Sequence, residues 1–115
     1  MQNRIMILKE FIMTPVFDKQ WSDLDLSDNE LRQLQNSLLK NPSIGKIMQG
    51  TGGARKMRFA LNYSGKSSGI RVIYIDIAHL QKIYLLLCYP KSKKDDLTQD
   101  EKKQLKLLIS ILKGG

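Results

Sequence analysis

Residues 51–94 read TGGARKMRFALNYSGKSSGIRVIYIDIAHLQKIYLLLCYPKSKK, and the fold turns on this stretch. Over residues 54–62, Met57, Phe59 and Leu61 alternate with Lys56, Arg58 and Ala60. Side chains on a strand point to opposite faces with a period of two, so this pattern predicts one apolar face and one basic face. Arg55 falls at the edge of the apolar face, near the strand start. Ser64 to Gly69 (SGKSSG) has the composition of a hairpin loop, with Lys66 at its tip. Residues 70–78 (IRVIYIDIA) and 82–89 (KIYLLLCY) are apolar on both faces, as in strands covered from two sides. Together they predict three strands of one antiparallel meander.

The charge sits on the same stretch. The chain has 19 Lys and Arg against 11 Asp and Glu, a formal net charge of +8. Residues 51–94 contain nine of the basic residues (Arg55, Lys56, Arg58, Lys66, Arg71, Lys82, Lys91, Lys93 and Lys94) and one acid, Asp76, which already gives +8. The other ten basic and ten acidic residues cancel. A basic field confined to one predicted sheet, with tyrosines among it, is the footprint of a polyanion site. Several of these charges would otherwise serve as solvated edge residues that keep sheets from pairing with one another. That bland reading suits Lys82, Lys93 or Lys94 taken singly better than Arg58, Arg71 and Lys91 taken together.

Outward from the meander, residues 4–13 (RIMILKEFIM) predict a first strand with poor alternation. Thr14-Pro15 offers an N-cap followed by proline at the first helical position, and a short helix over 16–23 would set Phe17 and Trp21 on one side as core. Ser27 and Glu30 have capping-box spacing. Leu31, Leu34 and Leu38 follow at helical intervals until Asn41-Pro42 ends the helix. Pro42 to Gly53 reads as a flexible loop leading into the next strand. Its glycines do not make a phosphate-binding loop, because no Lys-Ser/Thr closes it and no helix follows. Thr98 and Glu101 form a second capping box. Leu105, Leu108, Ile109 and Leu112 then give the last helix its apolar stripe, with Lys102, Lys103 and Lys106 facing water.

At 115 residues, the chain suits one domain over residues 1–115. No run of 18 apolar residues exists, and Lys9 and Glu10 interrupt the N-terminal apolar segment, so neither a membrane span nor a signal peptide is expected. The cytosol is the expected location, with no membrane partner. Cys88, the one cysteine, lies in an apolar run and reads as a small buried hydrophobe. His79, the one histidine, lies in the turn between the last two strands, far from Lys91 in a regular meander, and has no second histidine to work with. No metal-ligand spacing appears, and no cofactor is expected.

Three stretches, TGGARKMRFAL, GIRVIYIDI and IYLLLCYPKSKKDDLTQDEKKQLKLLI, together with the preceding TPVFDKQW and SDNELRQLQNSLLKNPSIGKIMQG, resemble the RelE/ParE toxin superfamily and within it the HigB-like RelE branch. The resemblance runs from about Phe11 to the end of the chain. It implies an α+β fold of order β-α-α-β-β-β-α: a small antiparallel sheet, an N-terminal helical hairpin and a C-terminal helix. It also implies a bacterial toxin of a type II toxin–antitoxin system that cuts mRNA in the ribosomal A site as a metal-independent endoribonuclease. The implied partners are a cognate antitoxin, the ribosome with its mRNA, and operator DNA reached through the antitoxin.

Carried over to this sequence, Arg58, Arg71, Tyr89 and Lys91 are the implied catalytic residues, and Arg55, Lys56, Lys66, Lys93 and Lys94 the implied RNA or phosphate contacts. Arginine donates two parallel hydrogen bonds to a phosphate, whereas lysine offers a point charge and a transferable proton. A lysine crowded by cations holds its proton less firmly, which makes Lys91 or Lys56 the candidate base. Two other readings stand beside this one: a ParE-like toxin that poisons gyrase without chemistry, and a basic module that binds nucleic acid without cutting it.

Overall fold

The computed structural model describes residues 9–60, 69–94 and 96–114. Five strands form one sheet in the order β1-β5-β4-β3-β2, with two helices on one face and one on the other. The strands are β1 (Glu10–Met13), β2 (Lys46–Ile47), β3 (Arg55–Ala60), β4 (Gly69–Ile77) and β5 (Lys82–Pro90). The helices are α1 (Pro15–Asp23), α2 (Asp28–Lys40) and α3 (Gln99–Leu112). The meander β3-β4-β5 is antiparallel throughout, as its alternation requires. Among the described residues, no helix is long and apolar enough to cross a membrane.

The helical hairpin forms where its caps predict. Thr14 Oγ1 accepts from the Phe17 N–H at 3.0 Å and opens α1 ahead of Pro15. The Ser27–Glu30 capping box is complete at the start of α2. Phe17 and Trp21 stack with ring centroids 5.5 Å apart and join Leu34 and Leu38 in a core against Met57, Phe59, Ile70, Val72, Tyr74, Ile83 and Leu85. On the opposite face, Leu105 and Ile109 of α3 cover Ile73, Ile75, Ile77, Leu86 and Tyr89. β4 is therefore apolar on both sides because both sides are covered. Complete burial of one such aliphatic side chain contributes about 1.5–3 kcal/mol.

The N-terminal region and the loop differ from their sequence reading. Within the described residues the first strand spans only Glu10–Met13, the remainder of the predicted stretch falling largely outside them. It pairs parallel with β5, Phe11 opposite Ile83 and Met13 opposite Leu85, so the sheet is mixed, not wholly antiparallel. Parallel pairing needs a long crossover, which the hairpin and meander together provide. Residues 42–53 are tied down, not a flexible entry, and they include β2. The buried Tyr74 hydroxyl donates to Pro42 O at 2.7 Å and accepts from the Gly45 N–H at 2.9 Å. Gly45 lies so close to the sheet that a Cβ there would meet the Tyr74 ring at 2.9 Å and Lys56 O at 3.0 Å. Buried Thr51 closes the next turn, donating to Met48 O and accepting from the Ala54 N–H. The predicted hairpin tip, with Lys66, lies outside the described residues, and Gly69 belongs to β4.

One irregularity in β5 matters for the site. Ile73 pairs with Leu87 and Tyr74 with Leu85, which leaves Leu86 as an extra residue in the ladder. Such a bulge shifts the side-chain phase by one. Ile83 and Leu85 face the hairpin side, but beyond the bulge Cys88 faces that side and Tyr89 faces α3. Thr14 Oγ1 donates to Leu86 O at 2.8 Å, so the N-cap of α1 also holds the bulge.

Candidate functional site

Residues directly opposite on antiparallel strands share a face, so the pairing register shows which cations meet. Lys46 of β2 stands opposite Lys56 of β3, and Arg58 of β3 stands opposite Arg71 of β4. Lys56 and Arg58 are two apart and share the α3 side of the sheet. These four side chains, with Ile44 and Met57, line one groove of about 410 Å³. Like charges placed directly across a ladder destabilise it, by a few tenths to about 1 kcal/mol per pair. Asp96, 3.6 Å from Lys56 Nζ, offsets part of this cost, and an anion seated in the groove would offset more of it.

The row continues one strand further, because Arg71 pairs with Tyr89. Arg58, Arg71 and Tyr89 thus lie side by side across β3, β4 and β5 on one face. Without the Leu86 bulge, Tyr89 would point to the other face. Arg58 is exposed and Arg71 half-buried, whereas Tyr89 is buried against the α3 core. Gly69 gives Arg58 room to lie along the sheet: a Cβ there would meet Arg58 Nε at 2.9 Å. Lys91 follows the end of β5, exposed, with its N–H directed at Gly69 O at 3.4 Å.

The remaining predicted contacts are placed elsewhere. Arg55 falls on the hairpin side of β3, out of the groove, and its guanidinium donates to Gly45 O at 2.7 Å and Ser43 O at 3.4 Å. Its described contacts brace the loop that carries Lys46. Lys93 and Lys94 line a second cleft of about 440 Å³ with Gln20, Asp23, Tyr89 and Pro90. Lys94 Nζ lies 5.3 Å from the Tyr89 ring centroid and 2.6 Å from Glu101 Oε2. His79 is exposed in the turn after β4, at the far end of the strand from Arg71. Cys88 is buried, and burial pushes its thiol up to about 12, so it is no nucleophile near neutral pH.

Two residues of this region went unread in the sequence, and a third was read differently. Lys46 lies on a strand of two residues, too short for any periodicity to show. Asp96 lies 3.6 Å from Lys56 Nζ and 3.4 Å from Lys102 Nζ, and it brings a carboxylate to the cluster. The Leu97 N–H, and then the charges of Lys56 and Lys102, hold its carboxyl below the usual range. Lys102, predicted to face water, is mostly covered and directed at Asp96. Among the described residues, no group of three His, Cys, Asp or Glu side chains is placed to hold a metal ion.

The architecture is shared with known proteins. The intact E. coli RelBE toxin–antitoxin complex contains a chain matching at a TM-score of 0.51 and 19% identity, over 70% of this chain and 94% of that one. An arginine-to-alanine double mutant of E. coli toxin RelE in the free state matches at 0.53 and 18%, over 76% and 87%. At such identities the likeness is one of fold. The sequence itself carries the family: the RelE toxin of the RelE/RelB toxin–antitoxin system matches it over residues 9–114. A sheet carrying opposed cation pairs, folded in this way and matched over nearly its whole length, places the chain in the RelE toxin family.

Proposed function

We propose that this protein is the toxin of a type II toxin–antitoxin pair and acts as an endoribonuclease on mRNA held in the ribosomal A site. The observation that carries this reading is the groove in which Lys46, Lys56, Arg58 and Arg71 stand as two opposed pairs, with Tyr89 continuing the row. RNA supplies the chemistry that suits it. The 2′-oxygen attacks phosphorus as the P–O5′ bond breaks, leaving a 2′,3′-cyclic phosphate and a 5′-hydroxyl. One proton leaves the 2′-hydroxyl and one reaches the departing 5′-oxygen. Negative charge grows on the phosphorane between, and preplaced guanidinium groups stabilise that charge more than the ground state. Arg58 and Arg71 take this role. Lys91 or Lys56 carries the protons, and Lys46 holds a flanking phosphate. Side-chain cations do here what a metal ion does in other nucleases. A basic groove of this kind also calls for a neutralising partner, which we assign to an antitoxin that binds the toxin and links it to operator DNA.

The test is primer extension on translating ribosomes exposed to the purified toxin, with the ends of the products characterised. Discrete cuts inside A-site codons, bearing 2′,3′-cyclic phosphates, are the expected result. Intact mRNA would refute the nuclease reading, and intact mRNA with inhibited DNA supercoiling would identify a gyrase poison instead.

A further inference from the structure

Asp96 and Glu101 both meet lysines beside the groove, but they do so differently. Glu101 holds Lys94 at 2.6 Å and also accepts the Thr98 N–H in the capping box, so it is bound into the helix start. Asp96 lies between Lys56 and Lys102 at 3.6 and 3.4 Å, longer than the 2.7–2.9 Å of a well-formed charge-assisted hydrogen bond. Its side chain is 53% exposed, whereas those of Lys56 and Lys102 are 24% and 16% exposed. Two largely covered cations thus flank one solvent-facing anion that neither of them meets at close range. Asp96 Oδ1 also accepts the Leu97 N–H at 2.8 Å, so releasing the carboxylate gives up that one backbone hydrogen bond, while the buried Leu97 side chain keeps the backbone in place. Lys56 also lines the groove with Arg58 and Arg71.

We propose that Asp96 stands where an RNA backbone phosphate binds, and that RNA displaces it to bridge Lys56 and Lys102. Lys102 then belongs to the RNA-binding surface, which extends from the sheet onto the first turn of α3. The inference rests on the polynucleotide reading of the groove and deepens it by naming a subsite. A phosphate brings more acceptor oxygens than the carboxylate and releases condensed counterions on binding, both of which favour the exchange.

The experiment is a salt titration of toxin binding to a labelled single-stranded RNA oligonucleotide, read by fluorescence anisotropy. Lys102→Gln should flatten the log–log salt slope by about 0.7, the loss of one phosphate contact on a single strand. Asp96→Asn should do the opposite, tightening binding about two- to fivefold, the range of an exposed ion pair, and steepening the slope. Asparagine still accepts the Leu97 N–H, so the local turn survives. Asp100→Asn removes an exposed carboxylate from the same helix start, four residues along, and controls for net charge. Circular dichroism and thermal unfolding check that each variant is folded. An unchanged slope in Lys102→Gln, or an Asp96→Asn effect no larger than that of Asp100→Asn, overturns the inference. If the variants show these shifts yet the wild-type protein fails to cut mRNA on ribosomes, the nuclease reading is overturned and the phosphate subsite stands.

Discussion

Replacing Arg71 with alanine should separate catalysis from folding. Arg71 is half-buried in the middle strand and stands directly opposite Arg58. Removing it relieves a like-charge cross-strand pair that costs roughly 0.2–1 kcal/mol. It also removes the packing of the arginine stem, an opposing loss of similar size. The net change in stability should stay within about 1 kcal/mol of zero, a shift in Tm of no more than about 4 °C for a chain of this length. The effect on chemistry is larger. Withdrawing one preplaced donor from a developing oxyanion typically costs about 3–4 kcal/mol, or roughly 100- to 1000-fold in rate. Arg71→Lys keeps the charge but loses the bidentate fork and should fall between the two. The assay is single-turnover cleavage on programmed ribosomes, with thermal unfolding followed in parallel. A cooperatively folding Arg71→Ala that cleaves at near wild-type rate would refute the role assigned to Arg71 and shift the centre towards Arg58 and Lys91.

Two further outcomes follow from contacts around the site. Tyr74→Phe removes the hydroxyl that serves Pro42 O and the Gly45 N–H. It should destabilise the protein by about 1–3 kcal/mol in urea denaturation, because a buried N–H loses its partner. It should also weaken RNA binding by loosening the strand that carries Lys46, so unchanged stability and binding together would show that the loop is held by other means. Acid should expose the carboxylates at the start of α3. Lys94 first, then the Thr98 N–H, hold the Glu101 carboxyl below its ordinary value of 4.5, and Asp96 is likewise held below 3.8. A carboxyl whose folded pKa is depressed contributes stability above its unfolded pKa and loses it as pH falls through the folded value. Stability should therefore decline below about pH 4.5, and Glu101→Gln should flatten that decline in chemical-denaturation series at several pH values. An acid limb identical to wild type would remove Glu101 from the account.

What the sequence determined by itself is what local physics determines. A capping box closes within four residues, so Ser27–Glu30 and Thr98–Glu101 marked both helix starts without any tertiary information. Strand alternation likewise separated Met57 and Phe59 from Lys56 and Arg58, and the concentration of charge on one sheet pointed to a polyanion. The tertiary structure decided everything that depends on pairing at a distance. It set β1 parallel to β5, because a strand's partner lies in a register that its own residues do not encode. It drew Lys46 opposite Lys56 through a two-residue strand that Tyr74 holds by way of Gly45, 29 residues earlier in the chain. It committed Arg55, which alternation already set at the edge of the apolar face, to the carbonyls of the loop before it. It brought Asp96 and Lys102 to the edge of the groove, where no helical or strand period could place them. Most consequentially, one extra residue at Leu86 reversed the phase of β5 and set Tyr89 beside Arg71. A side-chain period of two makes the face of every later residue depend on whether one residue is skipped, and only the partner strand and the Thr14 hydroxyl decide that.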